Sequence, residues 1–497
     1  MKPTPRLRAG RRACVARVAL SLALFAMGGA ALAGQAASAP ADNATLARGK
    51  YLAIAGDCAA CHTAPAGKPF AGGYSLESPL GAIYATNITP SKQAGIGNYT
   101  EAQFARAVRE GVRADGQHLY PAMPYTSYAK VSDEDIHALY VYFMHGVEPV
   151  DVRAAQTQLA FPFSMRSTLA AWNVLFLDRE RFRPDPSKSE QVNRGNYLVN
   201  GLAHCGACHT PRSAFMNEMS SKALSGAQVG PRFAPDITSG DSGIGRWRDE
   251  ALVEYLRTGR LAGKANAAGP MAEAVQNSLQ YLTDADLHAI VAYLRTVPSV
   301  SPQAAPQTAA FSLGGPYSDE ARQRGAEKSN SHDAIRGGAR LFSAYCASCH
   351  RPDGGGSRDG QYPALYHNTT TGHPDPTNVV ATILNGVTRT VGGKTVAMPR
   401  FDEKSVVASL SDEDIAAITN YVTAHYGNPK AQPVSAERVS ALRHGGPRPL
   451  IARLPPAAWV TALALALAIM LAAVAFIVRR RHSRTPPPRP PAPSGSR

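Results

Sequence analysis

Six of the seven cysteines fall in three copies of one pentad: Cys58, Cys61, His62; Cys205, Cys208, His209; and Cys346, Cys349, His350. A Cys-x-x-Cys pair alone serves as a redox dithiol or as half of a zinc site. A histidine directly after the second cysteine is the pattern of c-type haem attachment. Each thiol adds to one haem vinyl group, and the adjacent imidazole reaches the iron. The chain is therefore expected to carry three covalently bound haem c groups, and Cys14 stands apart near the N-terminus.

An iron with histidine on one face either keeps its other face open for oxygen or peroxide chemistry or closes it for electron transfer, and a methionine sulfur there raises the potential. Each pentad is followed by a candidate. Met123, in Tyr120-Pro-Ala-Met-Pro-Tyr125, lies 61 residues after His62; Met271, in Gly269-Pro-Met-Ala-Glu273, lies 62 after His209; Met398, in Val396-Ala-Met-Pro-Arg400, lies 48 after His350. Met216 and Met219 are the alternatives in the second domain, although they follow His209 closely for a ligand that must reach the opposite iron face. Methionine also fills irregular core gaps, but these three stand at one repeated place, before a capped helix. His118, His137, His204 and His288 recur at no single repeat position and are read as surface or supporting residues.

The elements that must position these groups repeat with them. The first cysteines lie 147 and then 141 residues apart, the mark of tandem copies. Arg48-Gly49-Lys50-Tyr51-Leu52, Arg194-Gly195-Asn196-Tyr197-Leu198 and Arg336-Gly337-Gly338-Ala339-Arg340 precede the three sites and read as the helix leading into each. Ser132, Thr283 and Ser411 each stand three residues before an aspartate, which suits an N-cap with an acid on the positive helix end. Apolar residues then recur at helical spacing: Ile136, Leu139, Tyr140 and Phe143; Leu287, Ile290, Val291 and Leu294; Ile415, Ile418 and Val422. Asn87-Ile88-Thr89 with Tyr99 corresponds to Asp236-Ile237-Thr238 with Trp247, and the third copy lacks this stretch.

The expected architecture is all-α: three tandem small c-type cytochrome domains plus one C-terminal transmembrane helix, with little β structure. An arginine-rich start, the apolar run from Val18 and Ala31-Leu32-Ala33 make residues 1–33 a secretory signal peptide. Cytochrome domains follow at 44–150, 187–297 and 331–427. They are joined by an apolar connecting segment, 151–186, expected to pack along the first domain, and by a linker, 298–330, rich in Pro, Ala, Gln and Ser. A stalk covers 428–453. Leu454–Val478 carries no charge and exceeds the roughly 20 residues a helix needs to cross a bilayer; Arg479, Arg480 and Arg481 open a basic, Pro-rich tail, 479–497, on the cytoplasmic side. The haem domains would then face the periplasm from the inner membrane. The net charge of +15 sits mainly in the two ends, leaving +3 between residues 34 and 478, so it signals targeting and topology and no nucleic-acid surface.

Taken in order, the segments CAACHTAP, LYPAMPY, FPFSMR, AAWNVLF, CGACHTPR, GPMAEAV and CASCHRPDGGG resemble the three-haem cytochrome c subunit of bacterial membrane-bound dehydrogenases, from about Ala44 onward. The resemblance implies axial pairs His62 with Met123, His209 with Met271 and His350 with Met398, and no catalytic acid, base or nucleophile. It implies a larger catalytic partner of flavin, quinone-cofactor or molybdenum type that oxidises an alcohol, aldehyde, sugar or sugar acid, with electrons passing to ubiquinone. Two other functions are open to such a chain: a free-standing carrier feeding a terminal oxidase, and a haem reductase with one open iron site.

Overall fold

The computed structural model describes residues 42–78, 80–300, 309–323, 336–455 and isolated positions between 457 and 476. The expected signal peptide and tail lie outside the described residues. Each domain opens on a helix that runs into its Cys-x-x-Cys-His turn and closes on a capped helix laid across the first. In the first domain these are α1 (Asn43–Ala55), α2 (Cys58–His62), α3 (Glu101–Glu110) and α4 (Asp133–Val141), followed by α5 (Thr168–Phe176) in the connecting segment. The second has α6 (Glu190–Tyr197), α7 (Gly206–His209), α8 (Asp249–Thr258), α9 (Pro270–Asn277) and α10 (Asp284–Thr296). The third has α11 (Gly338–Tyr345), α12 (Ala347–His350), α13 (Thr377–Asn385) and α14 (Asp412–Tyr426), against which α15 (Ala436–Arg443) packs.

The caps behave as the sequence requires. Ser132, Thr283 and Ser411 each accept from the backbone N–H three residues on, at Asp135, Asp286 and Asp414, satisfying a donor that a helix start otherwise leaves free. The helix crossing is set by glycine. A Cβ on Gly49, Gly195 or Gly338 would overlap the carbonyl oxygen of Ala138, Ala289 or Ala417 on the opposing helix, so the two backbones touch where only glycine fits. This aligns Gly338, not Gly337, with Gly49 and Gly195. The third repeat is therefore offset by one residue from its Arg-Gly signature, and Arg336 stands at 3.8 Å from Asp414. The path from that glycine to the first cysteine also varies: the second domain gains a residue through a wide helical turn at Leu198–Leu202.

Strands are short and antiparallel. β1 (Ser75–Ser78), β2 (Gly81–Tyr84) and β3 (Gln158–Leu159) form a three-stranded sheet in that order; β4 (Ala227–Val229) pairs β5 (Arg232–Ala234), β6 (Arg260–Leu261) pairs β7 (Ala265–Asn266), and β8 (Val387–Val391) pairs β9 (Lys394–Met398). Through β3 the connecting segment pairs with β2 of the first domain. The buried Asn173 of α5 accepts from the Tyr125 hydroxyl at 2.8 Å and donates to the Glu110 carbonyl at 2.9 Å. The outer face of α5 leaves Val174 and Leu175 largely exposed.

The three domains have two cores. Leu52, Ile136 and Leu139 share one cluster with Leu198, Leu202, Leu287 and Ile290, so the first and second domains are fused; Leu341, Phe342, Leu384, Ile415 and Ile418 form a separate one. Each fully buried Leu or Ile side chain contributes about 1.5–3 kcal/mol. Val439 and Leu442 of α15, in the stretch expected as a stalk, join the second core. The third domain meets the second through hydrogen bonds: Asn378 pairs with both backbone groups of Phe233 at 2.7 and 2.9 Å, and buried Arg389 donates to the Ala267 carbonyl at 2.7 Å.

The fold-class expectation needs one correction. Among the described residues no helix is long and apolar enough to cross a membrane. Residues 454–478 are only sparsely among the described residues, and the chain there leaves a short 3₁₀ turn, Leu450–Arg453, for extended Leu454 and then Pro455. A span needs a helix of about 20 apolar residues, and the described residues contain none. Among the described residues the architecture is three cytochrome domains, and the expected C-terminal transmembrane helix is not found.

Candidate haem sites

The pentads sit on single helical turns, so the cysteines and histidine of each share one short stretch of backbone. In each of the three sites, the histidine Nδ1 lies against a backbone carbonyl: His62 on Thr86 at 2.7 Å, His209 on Pro235 at 2.7 Å, His350 on Pro363 at 2.9 Å. A carbonyl can only accept, so Nδ1 carries the hydrogen and the Nε2 lone pair points away, free for a metal. Burial lowers the pKa of all three imidazoles, which favours that neutral form. Burial likewise pushes the thiols of Cys58, Cys61, Cys205 and Cys346 up to about 12, with Asp57 adding to the shift at Cys61, and raises Cys208. All six cysteines are free, and protonated thiols suit addition across a vinyl group. Among the described residues no group of three or more His, Cys, Asp or Glu is placed to hold a metal ion.

The supporting carbonyls were not anticipated, yet the sequence marked their neighbourhood. Asn87 Oδ1 accepts from the Thr89 N–H and hydroxyl at 2.8 and 2.7 Å, and Asp236 Oδ1 does the same for Thr238 at 2.8 and 2.6 Å. These Asx turns follow Thr86 and Pro235 directly and fix the backbone that faces each histidine. Tyr99 and Trp247 pack at the edge of the shared core. Trp247 stands edge-on to Tyr255 with ring centroids 5.6 Å apart, and Lys264 lies over its face.

The methionines occupy three kinds of backbone. Met123 lies in a tight turn, its N–H on the Tyr120 carbonyl at 3.1 Å; Met271 is in the first turn of α9, after Gly269 in a positive-φ conformation; Met398 ends β9, opposite Val387. Met123 and Met271 are half-buried against the shared core and Met398 against the second. Met216, by contrast, is 38% exposed on an outer loop. His137 pairs with Glu101 at the surface, His288 turns to the Asp284 carbonyl, His118 sits against Asn173, and the His204 ring meets the edge of Tyr128.

The cytochrome c family matches this chain three times, at residues 46–146, 192–298 and 335–425, each match enclosing one pentad. The chain belongs to the cytochrome c family. As such it carries three covalently bound haem c groups, one per domain. This cytochrome is 46% identical to the fructose dehydrogenase cytochrome subunit of Gluconobacter japonicus over 90% of its own length and 93% of the relative's. It is 40% identical to the gluconate 2-dehydrogenase cytochrome c subunit of Pantoea cypripedii, covering 85% and 94%, and 39% identical to the cytochrome c subunit of the quinone-type alcohol dehydrogenase of Komagataeibacter europaeus, covering 86% and 90%. It is thus a cytochrome c of the kind that serves as the electron-transfer subunit of dehydrogenase complexes.

Proposed function

We propose that this cytochrome takes electrons from the larger catalytic subunit of a periplasmic dehydrogenase complex and passes them through its three haems to ubiquinone, with no substrate chemistry of its own. Haem iron, when bound, supplies one-electron redox chemistry. Cys58 and Cys61, Cys205 and Cys208, and Cys346 and Cys349 hold the three groups covalently, while His62, His209 and His350 offer Nε2 on one face. Met123, Met271 and Met398 would close the other. The observation that carries this reading is the histidine–carbonyl contact, the same in all three sites although the backbones around them differ. Each of the three sites has a ligand oriented in advance and a half-buried thioether in the same domain, which suits a carrier better than a reductase needing an open iron.

The relatives' names speak of fructose, alcohol and gluconate dehydrogenases, so the partner is a sugar, sugar-acid or alcohol dehydrogenase of flavin, quinone-cofactor or molybdenum type. Purification of the tagged protein from its native host tests the assignment. A co-purifying subunit with one of those cofactors and three haems per cytochrome would support it; a solitary cytochrome, or one bound to an oxidase, would refute it.

A further inference from the structure

Two residues after its helix-crossing glycine, each of the first two domains carries a tyrosine that reaches into the other domain. The Tyr197 hydroxyl donates to Asp135 Oδ2 at 2.5 Å and accepts from the Ser132 N–H at 3.2 Å. The Tyr51 hydroxyl donates to Asp286 Oδ2 at 2.6 Å and accepts from the Thr283 N–H at 3.3 Å. Each acceptor is the aspartate in the first turn of the other domain's capped helix, held by that domain's own arginine. Arg48 Nε and Nη2 donate to Asp135 Oδ1 at 2.8 and 2.6 Å; Arg194 donates to both oxygens of Asp286 at 2.8 Å. The result is two Arg–Asp–Tyr clusters in which the domains exchange roles. Asp135 and Asp286 are only 2% and 7% exposed, so hydrogen bonds to them are charge-assisted and poorly screened.

The interface that these clusters clamp lies between two haem attachment segments. Leu202, three residues before Cys205, comes within 3.9 Å of the point where Gly56 would carry a Cβ, and the Cys58 sulfur is 3.5 Å from that same point. Tyr128 closes the gap, its hydroxyl donating to the Gly56 carbonyl at 2.7 Å and its ring 5.5 Å from that of His204. The shared apolar core supplies contact between the domains but little direction. Two hydrogen-bonded clusters fix their rotation. In the third domain Arg340 takes the tyrosine position, Asp414 Oδ2 turns to its own cap at the Ser411 N–H, 3.3 Å away, and the core is separate.

We infer that Tyr51 and Tyr197 are positioning residues that set the register between the first and second haems; the consequence for transfer between those haems rests on the relay proposed above. The test compares Tyr51→Phe, Tyr197→Phe and the double variant in the full-length, three-haem protein. Soret circular dichroism reads the excitonic couplet of neighbouring haems, and electron exchange between them is followed after flash photoreduction. Loss of one charge-assisted hydrogen bond shifts the docked register about tenfold and loss of both about a hundredfold. The double variant is therefore expected to lose most of the couplet and to exchange electrons more slowly, with haem content and methionine–iron absorbance unchanged. Phe104→Leu trims a ring that packs on Tyr140 and Phe143 in the same core and makes no hydrogen bond to either cluster, and should leave couplet and exchange as in the wild type. A double variant with a wild-type couplet, or a Phe104→Leu protein that loses its couplet equally, would overturn the inference. The couplet reports geometry alone, so a wild type with a couplet but no exchange would overturn the relay and not the register.

Discussion

Gly195→Ala sets two opposing effects against each other. Alanine is favoured over glycine inside a helix by about 1 kcal/mol, so a reading from propensity alone expects stabilisation. Against this, the new Cβ would overlap the backbone carbonyl oxygen of Ala289 and crowd the Ala289 carbonyl carbon at 2.6 Å and the Tyr293 Cβ at 2.7 Å. None of these atoms can rotate aside, so α6 and α10 must separate. Overpacking of that kind costs about 1–3 kcal/mol and sometimes more, and backbone obstruction places it at the upper end. The net expectation is destabilisation by about 2 kcal/mol, which lowers Tm by about 4–8 °C for a fused unit of this size. The control is Gly201→Ala, whose Cβ would meet nothing closer than the Lys130 Cβ at 3.7 Å. Calorimetry of the three-haem protein, with Soret absorbance followed through the same transition, checks both. A Gly195→Ala protein at least as stable as the wild type would refute the close helix crossing.

Met123→Ala, Met271→Ala and Met398→Ala should each lower the potential of one haem and let the reduced protein bind carbon monoxide, read by redox titration and by the Soret shift; a variant matching the wild type would remove that methionine from the ligand set. At Asp286 burial raises the pKa, but hydrogen bonds from Arg194 and Tyr51 outweigh it and hold the carboxyl below its ordinary value. A depressed folded-state pKa stabilises fully above the unfolded value, about 3.9 for aspartate, and is lost as pH falls through the folded value. Denaturation of the fused domains below about pH 4 should thus be less steep in Asp286→Asn than in the wild type. Arg389→Met removes a buried donor from the Ala267 carbonyl and should weaken the hold of the third domain on the second by about 1–3 kcal/mol, seen as faster proteolysis between them with the melting of the fused pair unchanged.

Much of this was legible because the residues that do the chemistry repeat. The pentads, the caps at Ser132, Thr283 and Ser411 and the period of Ile136, Leu139 and Phe143 each carry a local physical signal, and local signals survive into the fold. Pairings across domains do not announce themselves in that way. Tyr51 and Tyr197 stood in a recognised repeat and read as ordinary helix residues, because nothing in one copy tells which carboxylate another copy will present. The same limit applies to Arg389 and Asn378, whose partners are backbone groups of another domain. Counting residues from the Arg-Gly pair misaligned the third repeat, since the crossing requires a glycine at 338 and is indifferent to the arginine two residues before it. The uncharged stretch after Arg453 is a different case: composition reports affinity for lipid, and among the described residues no helix is long and apolar enough to span a membrane.

The carbonyls of Thr86, Pro235 and Pro363 that orient the three histidines belong to the main chain. Mutation can replace a supporting side chain in one step; a carbonyl survives every substitution at its own position and is lost only when the path of the backbone changes. The orientation of the imidazole is therefore buffered against sequence drift. The three copies have used that latitude: one keeps Asn-Ile-Thr after the carbonyl, one has Asp-Ile-Thr, and one has dispensed with the turn altogether while holding its histidine at 2.9 Å.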